Sequence, residues 1–461
     1  MKERLKTQTT DKNTVLFIAT FASFLTPFMG SAINIALPVI GKEFNANAVL
    51  LSWVASSYLL AAAMFLVPFG RMADIIGRKR IFFIGIVIFS IASLLSAFSQ
   101  SVIILIVFRI FQGIGSAMLF GTGIAIIISV FPLAERGKAL GINIAAVYIG
   151  LSAGPFAGGF LTQHLGWRSI FLVIVPVGLI IIILVLTKLK EEWAEAKGEH
   201  FDWKGAIIYG ISLALIMYGF SVLPEFFGCI LIFLGIIGIT AFIKLEITLR
   251  NPVLDMRLFK NNRVFAFSNL AAMINYSATF AVTFLLSLYL QYIKGFSPQK
   301  AGIILVAQPI VMAVFSPIYG RLSDKIEPRI VASVGMTLTT LGLFFFIFLT
   351  DKTGTQAIIA DLILLGLGFA FFSSPNTNAV MSSVEKKFYG VASGTIGTMR
   401  LVGQMLSMGI AMLIFSLFIG RQEISAENFP QFLKSIKVAF IIFSIICFGG
   451  IFASLSRGKI R

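Results

Sequence analysis

Long apolar runs separated by short polar connections account for most of the chain. Each run approaches the roughly 20 residues that a helix needs to cross a bilayer. The runs lie near residues 15–38, 48–69, 81–98, 102–124, 137–163, 168–187, 204–223, 227–249, 264–292, 300–319, 329–349, 356–380, 390–419 and 434–456. They predict fourteen membrane-spanning helices. Glycines inside them (Gly113, Gly115, Gly121, Gly123) would weaken a water-soluble helix, but in a membrane they let helix backbones approach closely.

A polar cassette punctuates this pattern twice. Gly70-Arg-Met-Ala-Asp-Ile-Ile-Gly-Arg78-Lys and Gly320-Arg-Leu-Ser-Asp-Lys-Ile-Glu-Pro-Arg329 each close one apolar run and open the next, and they begin 250 residues apart. Two related sets of helices follow from the repeat, and repeats in a polytopic membrane protein point to a transporter with a shared midplane site. The spacing exceeds what six spans need, and the surplus fits two further helices near 204–249. The expected organisation is a tail (1–14), a six-helix bundle (15–187), two inserted helices with charged connections (188–263), a second six-helix bundle (264–456) and a short tail (457–461).

Composition changes the picture only by confirming its class. Hydrophobic residues make up 58% and charged residues 12% of 461, against about 45–50% and about 25% in soluble domains. The net charge of +17 is accounted for by topology: with the N-terminus inside, inner loops and tails hold 26 of the 37 Lys and Arg residues and outer loops hold eight. The positive-inside rule then puts both termini in the cytoplasm. Nucleic-acid binding is excluded for want of a basic polar domain. Cys229 and Cys447 fall inside spans and read as packing residues. The only histidines are His164 and His200, so no metal centre is expected. The polar stretch to Asn13 lacks the short apolar core of a signal peptide, so the first span is expected to be retained.

Four motifs make the chain resemble the major facilitator superfamily, and within it the fourteen-helix drug:proton antiporters. The cassette Gly70-x-x-Ala73-Asp74-x-x-Gly77-Arg78-Lys79 is similar to the family's signature between helices 2 and 3. Leu105-x-x-x-Arg109-x-x-Gln112-Gly113-x-Gly115 resembles the helix-4 signature, Gly150-x-x-x-Gly154-Pro155-x-x-Gly158-Gly159 the helix-5 signature of antiporters, and Asn34-Ile-Ala-Leu-Pro38 the end of the helix-1 signature. The resemblance implies two six-helix bundles plus two inserted helices, a multi-pass protein of a prokaryotic cytoplasmic membrane, no cofactor, and action as a monomer on small molecules.

The residues carry their own physical readings. Asp74 stands at a helix junction where a carboxylate can meet the positive end of a neighbouring helix, here the one starting near Gly390. With Gly70, Gly77 and Arg78 it is expected to form a conformational latch, and Arg321 and Asp324 its weaker counterpart. Pro155 in mid-span removes a backbone donor and favours a bend, and Gly150, Gly154, Gly158 and Gly159 leave a smooth face, which suits a hinge or gate. Arg109 and Arg400 lie deep within spans, where an arginine costs at least about 2.5–3.5 kcal/mol and so faces a partner or a wet cavity. Gln112, Asn34, Asn275, Tyr276 and Gln308 occur at comparable depths and are candidates to line one cavity with them.

The chain departs from the family at Met29, five residues before Asn34, where the resemblance calls for an aspartate. All twenty acidic residues sit in loops or near span ends, Glu246 and Asp361 being the least peripheral. A cavity with arginines and no carboxylate disfavours organic cations and favours neutral, zwitterionic or anionic substrates. Proton coupling would fall to Asp361. The expected function is secondary export of hydrophobic or amphiphilic compounds. The alternative is a facilitator or anion exchanger for a defined metabolite. No nucleophile with a base, ligand cluster or phosphate loop marks an enzyme.

Overall fold

The computed structural model describes residues 11–249, 252–323, 325–385, 389–420 and 422–458. Among them the regular structure is helical throughout, and fourteen helices are long and apolar enough to cross a membrane. The first six spans are α1 (Lys12–Phe44), α2 (Ala48–Ile76), α3 (Arg78–Ala97), α4 (Val102–Val130), α5 (Leu133–Leu165) and an interrupted one made of α6 (Arg168–Leu172) and α7 (Ile174–Lys188). α8 (Trp203–Val222) and α9 (Phe226–Thr248) follow, then the short α10 (Arg257–Asn261). The remainder are α11 (Arg263–Leu288, continued by a π turn, Tyr289–Ile293), α12 (Pro298–Leu305) with α13 (Ala307–Leu322), α14 (Pro328–Phe345), α15 (Thr355–Ser382), α16 (Tyr389–Phe418) and α17 (Phe429–Ser456).

All fourteen expected spans are present, and the differences are at their ends. α1 starts at Lys12 and runs to Phe44, because Asp11 caps it by accepting the Asn13 and Thr14 N–H groups and Asn45 closes it in a left-handed conformation. α2 continues to Ile76, so Gly70 and Asp74 are helical rather than in a loop. Gly77, at φ 131°, makes the break between α2 and α3, a conformation that only glycine adopts without strain. Arg457, expected in a free tail, is fully buried. Its guanidinium donates to Ser454, Ser268 and Asn376 and so joins α17, α11 and α15.

The repeat extends beyond the cassette into helix packing. α3 meets α4 at Gly85 and Gly115, where a Cβ on Gly115 would stand 2.7 Å from the Phe89 nitrogen. α14 meets α15 at Gly335 and Gly368, where a Cβ on Gly335 would stand 2.6 Å from the Phe372 nitrogen. Gly113 likewise presses on the Tyr58 carbonyl of α2 and Gly366 on the Gln308 carbonyl of α13. These small residues replace hydrophobic driving force, which is absent in lipid, by close backbone contact.

We call the end that carries Gly77 and Arg457 the near end. Hydrogen bonds that join α1–α7 to α11–α17 concentrate at the far end. Ser287 donates to the Asn34 carbonyl at 2.7 Å, Gln291 to the Ile35 carbonyl at 2.9 Å, and the Gln299 N–H to Gln163 at 3.2 Å. At mid-depth the hydroxyls of Tyr148 and Ser373 are 2.9 Å apart.

Candidate functional site

The helices bring a group of aromatic and polar side chains together at mid-depth around Arg400 of α16. Its guanidinium lies 4.8 Å from the centre of the Phe120 ring on α4. The Tyr276 hydroxyl of α11 is within hydrogen-bonding reach of Arg400 and of Ser373 on α15, and Ser373 in turn meets Tyr148 of α5. Phe369 stands edge-on to Tyr276 at 5.3 Å. Arg400 also acts electrostatically on the Tyr58 hydroxyl of α2. Both sets of helices therefore contribute. Arg400 is only partly buried and takes part in no ion pair among the described residues. A guanidinium held this way by rings and hydroxyls can bind an anionic or acceptor-rich group and stack on a flat one.

Of the residues expected to line one cavity, Arg400 and Tyr276 lie together. Arg109 does not: it is fully buried between α2, α3 and α4. It donates to the Val54 carbonyl at 3.1 Å and to Gln112 Oε1 at 2.5 Å, Gln112 donates to Ser93 at 2.7 Å, and the Tyr58 ring lies 4.4 Å from the guanidinium carbon. Arg109 and Gln112 thus form a polar layer within one set of helices. Met29 is fully buried in the apolar core, and Gln308 is nearly so. Asn34 sits on the contact of α1 with α11, where its carbonyl, not its side chain, is used. The Asn275 side-chain amide is fully buried and makes no hydrogen bond among the described residues. Asp361 is buried against α14, its Oδ1 standing 3.3 Å from where a Gly342 Cβ would be.

Sequence reasoning missed Tyr58, Phe120, Tyr148, Phe369 and Ser373, since aromatic residues inside apolar runs carry no pattern of their own. Tyr58 alone had a signal: it precedes Gln308 by the cassette's own 250 residues.

At the near end, Arg78 gathers the expected latch and more. It bonds Asp74 at 2.9 Å, Ser129 at 2.6 Å and Glu195 at 2.7 Å. Asp74 is therefore held by Arg78, and the residues just before α16, 386–388, lie outside the described residues. The linker 189–202 lies over the junction: Glu192 accepts the Lys79 N–H at 2.8 Å, the Trp193 carbonyl accepts the Arg78 N–H, the Ala196 N–H donates to the Asp74 carbonyl, and Glu199 pairs with Arg71 at 2.5 Å. Glu192 supplies the α3 cap that Gly77 lacks a side chain to provide. In the second cassette Arg321 is exposed and Asp324 lies outside the described residues. There Ser323 accepts from Asn378 at 2.9 Å.

The glycines of α5 divide between two neighbours. Gly150, Gly154 and Gly158 face α1, where a Cβ on Gly150 would stand 2.5 Å from the Phe24 carbonyl oxygen. Gly159 faces the other set, where a Cβ would meet the Pro298 carbonyl at 2.6 Å, and the Pro155 carbonyl abuts Gly302. α5 runs unbroken through Pro155, so the segment is close-packed against both neighbours, an arrangement that could seal this end. Gly159→Leu should pry α5 from α12. A thiol reagent should then label Ala301→Cys several-fold faster in a Cys229→Ser background; unchanged labelling would remove this contact from the seal.

The sequence profile of the Major Facilitator Superfamily matches residues 19–267 and again 268–458. The riboflavin transporter RibZ of Clostridioides difficile is 31% identical over 95% of both chains. The cephamycin export protein CmcT of Amycolatopsis lactamdurans is 30% identical over 88% of this chain and 85% of that one. The multidrug resistance protein Stp of Mycobacterium tuberculosis is 29% identical over 82% and 71%. Among solved structures, a bacterial homologue of the human lysosomal transporter Spinster, inward-facing and unoccupied, superposes with a TM-score of 0.70 at 17% identity, covering 96% of this chain and 97% of that one. The D-xylose–proton symporter does so at 0.65 and 13%, covering 94% and 97%. With its profile matched along nearly the whole chain and its fold shared, the protein belongs to the Major Facilitator Superfamily of membrane transporters.

Proposed function

We propose that the protein exports flat, largely apolar compounds that are neutral or anionic from the cytoplasm by alternating access, in exchange for protons. The observation that carries this reading is Arg400, a cation at mid-depth between the two sets of helices, with Phe120 and Tyr276 beside it and no carboxylate paired with it among the described residues. Relatives named as exporters support the direction. The far-end hydrogen bonds and the α5–α12 seal support a conformation closed at that end, which the basic near end makes the outer side. Both termini then lie in the cytoplasm of a prokaryotic cell. Asp361, buried with one unpaired oxygen, is the proposed coupling acid; its place against α14 would require it to act through helix movement. A small-molecule substrate, the lipid bilayer and protons or another counter-solute are the partners, and a monomer suffices.

A second reading, transport of one flavin-like metabolite without proton coupling, is favoured by the match to RibZ over 95% of both chains. A flavin's flat ring system and carbonyl-rich edge suit the same guanidinium and rings. Uptake into inside-out vesicles separates the readings, using an anionic dye, a cationic dye and riboflavin with and without an imposed pH gradient. Gradient-driven uptake of the anionic dye is expected. Gradient-indifferent, saturable uptake of riboflavin alone would establish the second reading, and preferential uptake of the cationic dye would overturn both.

A further inference from the structure

The inserted pair of helices carries a feature that the transport site does not use. Asp202 caps α8, its Oδ1 accepting the Gly205 N–H at 3.0 Å. Glu246 of α9 is fully buried, and its Oε2 accepts the Leu254 N–H at 2.7 Å. The other two oxygens, Asp202 Oδ2 and Glu246 Oε1, are both buried, and neither meets a protein N–H or O–H donor among the described residues. They converge over Gly205, where a Cβ would collide with both, and the two carboxyl groups are within hydrogen-bonding reach of each other.

Two ionised carboxylates do not stay in such contact, because like charges out of water repel strongly and neither is solvated. One proton between them turns the repulsion into a charge-assisted O–H···O bond. Among the described residues, which do not include Arg250, the charged groups around the pair are otherwise engaged or turned away. Asp255, on the segment after α9, is held by Arg257 at 2.9 and 3.0 Å. Arg71 of α2 is taken by Glu199. Lys204 of α8, Lys244 of α9, and Lys197 and His200 of the linker are exposed. None replaces the proton with a bridging cation.

Asp202 is also the last residue of the linker whose Glu192, Glu195, Ala196 and Glu199 grip the junction of α2 and α3. We propose that Asp202 and Glu246 form a single-proton binding site, and that the bound proton fastens this linker to the inserted helices. When the proton leaves to water at the near end, the carboxylates separate, Asp202 draws away from α9, and the grip on Arg78 loosens. The inserted pair thereby makes the α2–α3 junction sensitive to pH. This site stands apart from Arg400 and holds whichever substrate is carried.

Infrared spectroscopy of the purified full-length protein in vesicles tests it without a substrate. With Asp361→Asn as the common background of every protein compared, so that the other buried acid contributes nothing, the otherwise wild-type protein should at neutral pH show a carboxylic-acid carbonyl band that vanishes as pH is raised; Glu246→Gln should remove that band, and Asp202→Asn should remove or displace it. Thermal unfolding provides the second measurement. The wild type should lose stability across the same alkaline range, whereas Glu246→Gln, whose amide donates to Asp202 permanently, should keep a flat profile. Should Glu246→Gln fail to fold, Asp202→Asn supplies the same permanent donor from the other side. A band unaffected by either substitution, or identical pH profiles of stability in the wild type and the variant that folds, would overturn the shared proton. Loss of transport with these signatures intact would bear on the transport reading alone.

Discussion

Arg400→Gln should abolish transport of anionic substrates while leaving the protein folded and inserted. The side chain is only partly buried and lies against an aromatic face and near a hydroxyl, with no ion pair among the described residues. Removing it leaves no opposite charge stranded, and it spares a membrane cost of at least about 2.5–3.5 kcal/mol, so melting temperature should hold or rise. Binding should suffer, because a hydrogen bond to a charged group is worth about 1.5–3 kcal/mol, or roughly 10–150-fold in affinity. Arg400→Lys should recover only part of the loss, since an ammonium keeps the charge but not the planar fork that stacks and binds in two places. Concentration-dependent uptake of an anionic and a neutral probe checks this. Equal transport of both by Arg400→Gln would take the guanidinium out of substrate binding.

The second large effect concerns the other arginine and has the opposite character. Arg109→Ala should destabilise the protein by about 1–3 kcal/mol, the cost of leaving a buried polar partner unsatisfied. It strips the Gln112 amide oxygen of its donor and leaves a void beside the Tyr58 ring. The combined replacement of Arg109, Gln112 and Ser93 by leucine should instead be neutral or stabilising by about 1–4 kcal/mol. The repeat supplies the template. With the glycine pairs aligned, the matching layer between α14 and α15 is Leu362, Leu365 and Leu343, all buried. Thermal unfolding of the single and triple variants measures the difference, and transport by the triple variant should stay within a few-fold of the wild type. A triple variant that folds well and does not transport would return Arg109 to the functional site through its contact with Tyr58.

Much of this architecture was legible along the chain. Fourteen spans could be counted because a bilayer imposes one length and one solvent on every helix that crosses it. The cassette repeat announced two related sets because glycines and charges at helix junctions stand out against apolar sequence. The antiporter-like glycines of α5 were likewise visible, and the structure adds that Gly159 faces a different neighbour from Gly150 and Gly154.

Legibility ended where a residue's meaning depended on what faces it. Arg109 and Arg400 look alike in sequence, each a single arginine inside an apolar run. One is tied into a layer with Gln112 and Ser93 and the other is left among rings between the two sets. The linker acids Glu192, Glu195 and Glu199 read as a short mixed-charge connection, yet they clamp Lys79, Arg78 and Arg71 from more than a hundred residues away in sequence. Arg457 reads as a tail residue and is buried among three helices. Local sequence dictates that a segment enters the membrane, because transfer into lipid depends on the segment's own side chains and backbone hydrogen bonds. It does not dictate which charge is neutralised and which is left to meet a substrate or a proton, because that is settled by partners brought together only when the helices pack.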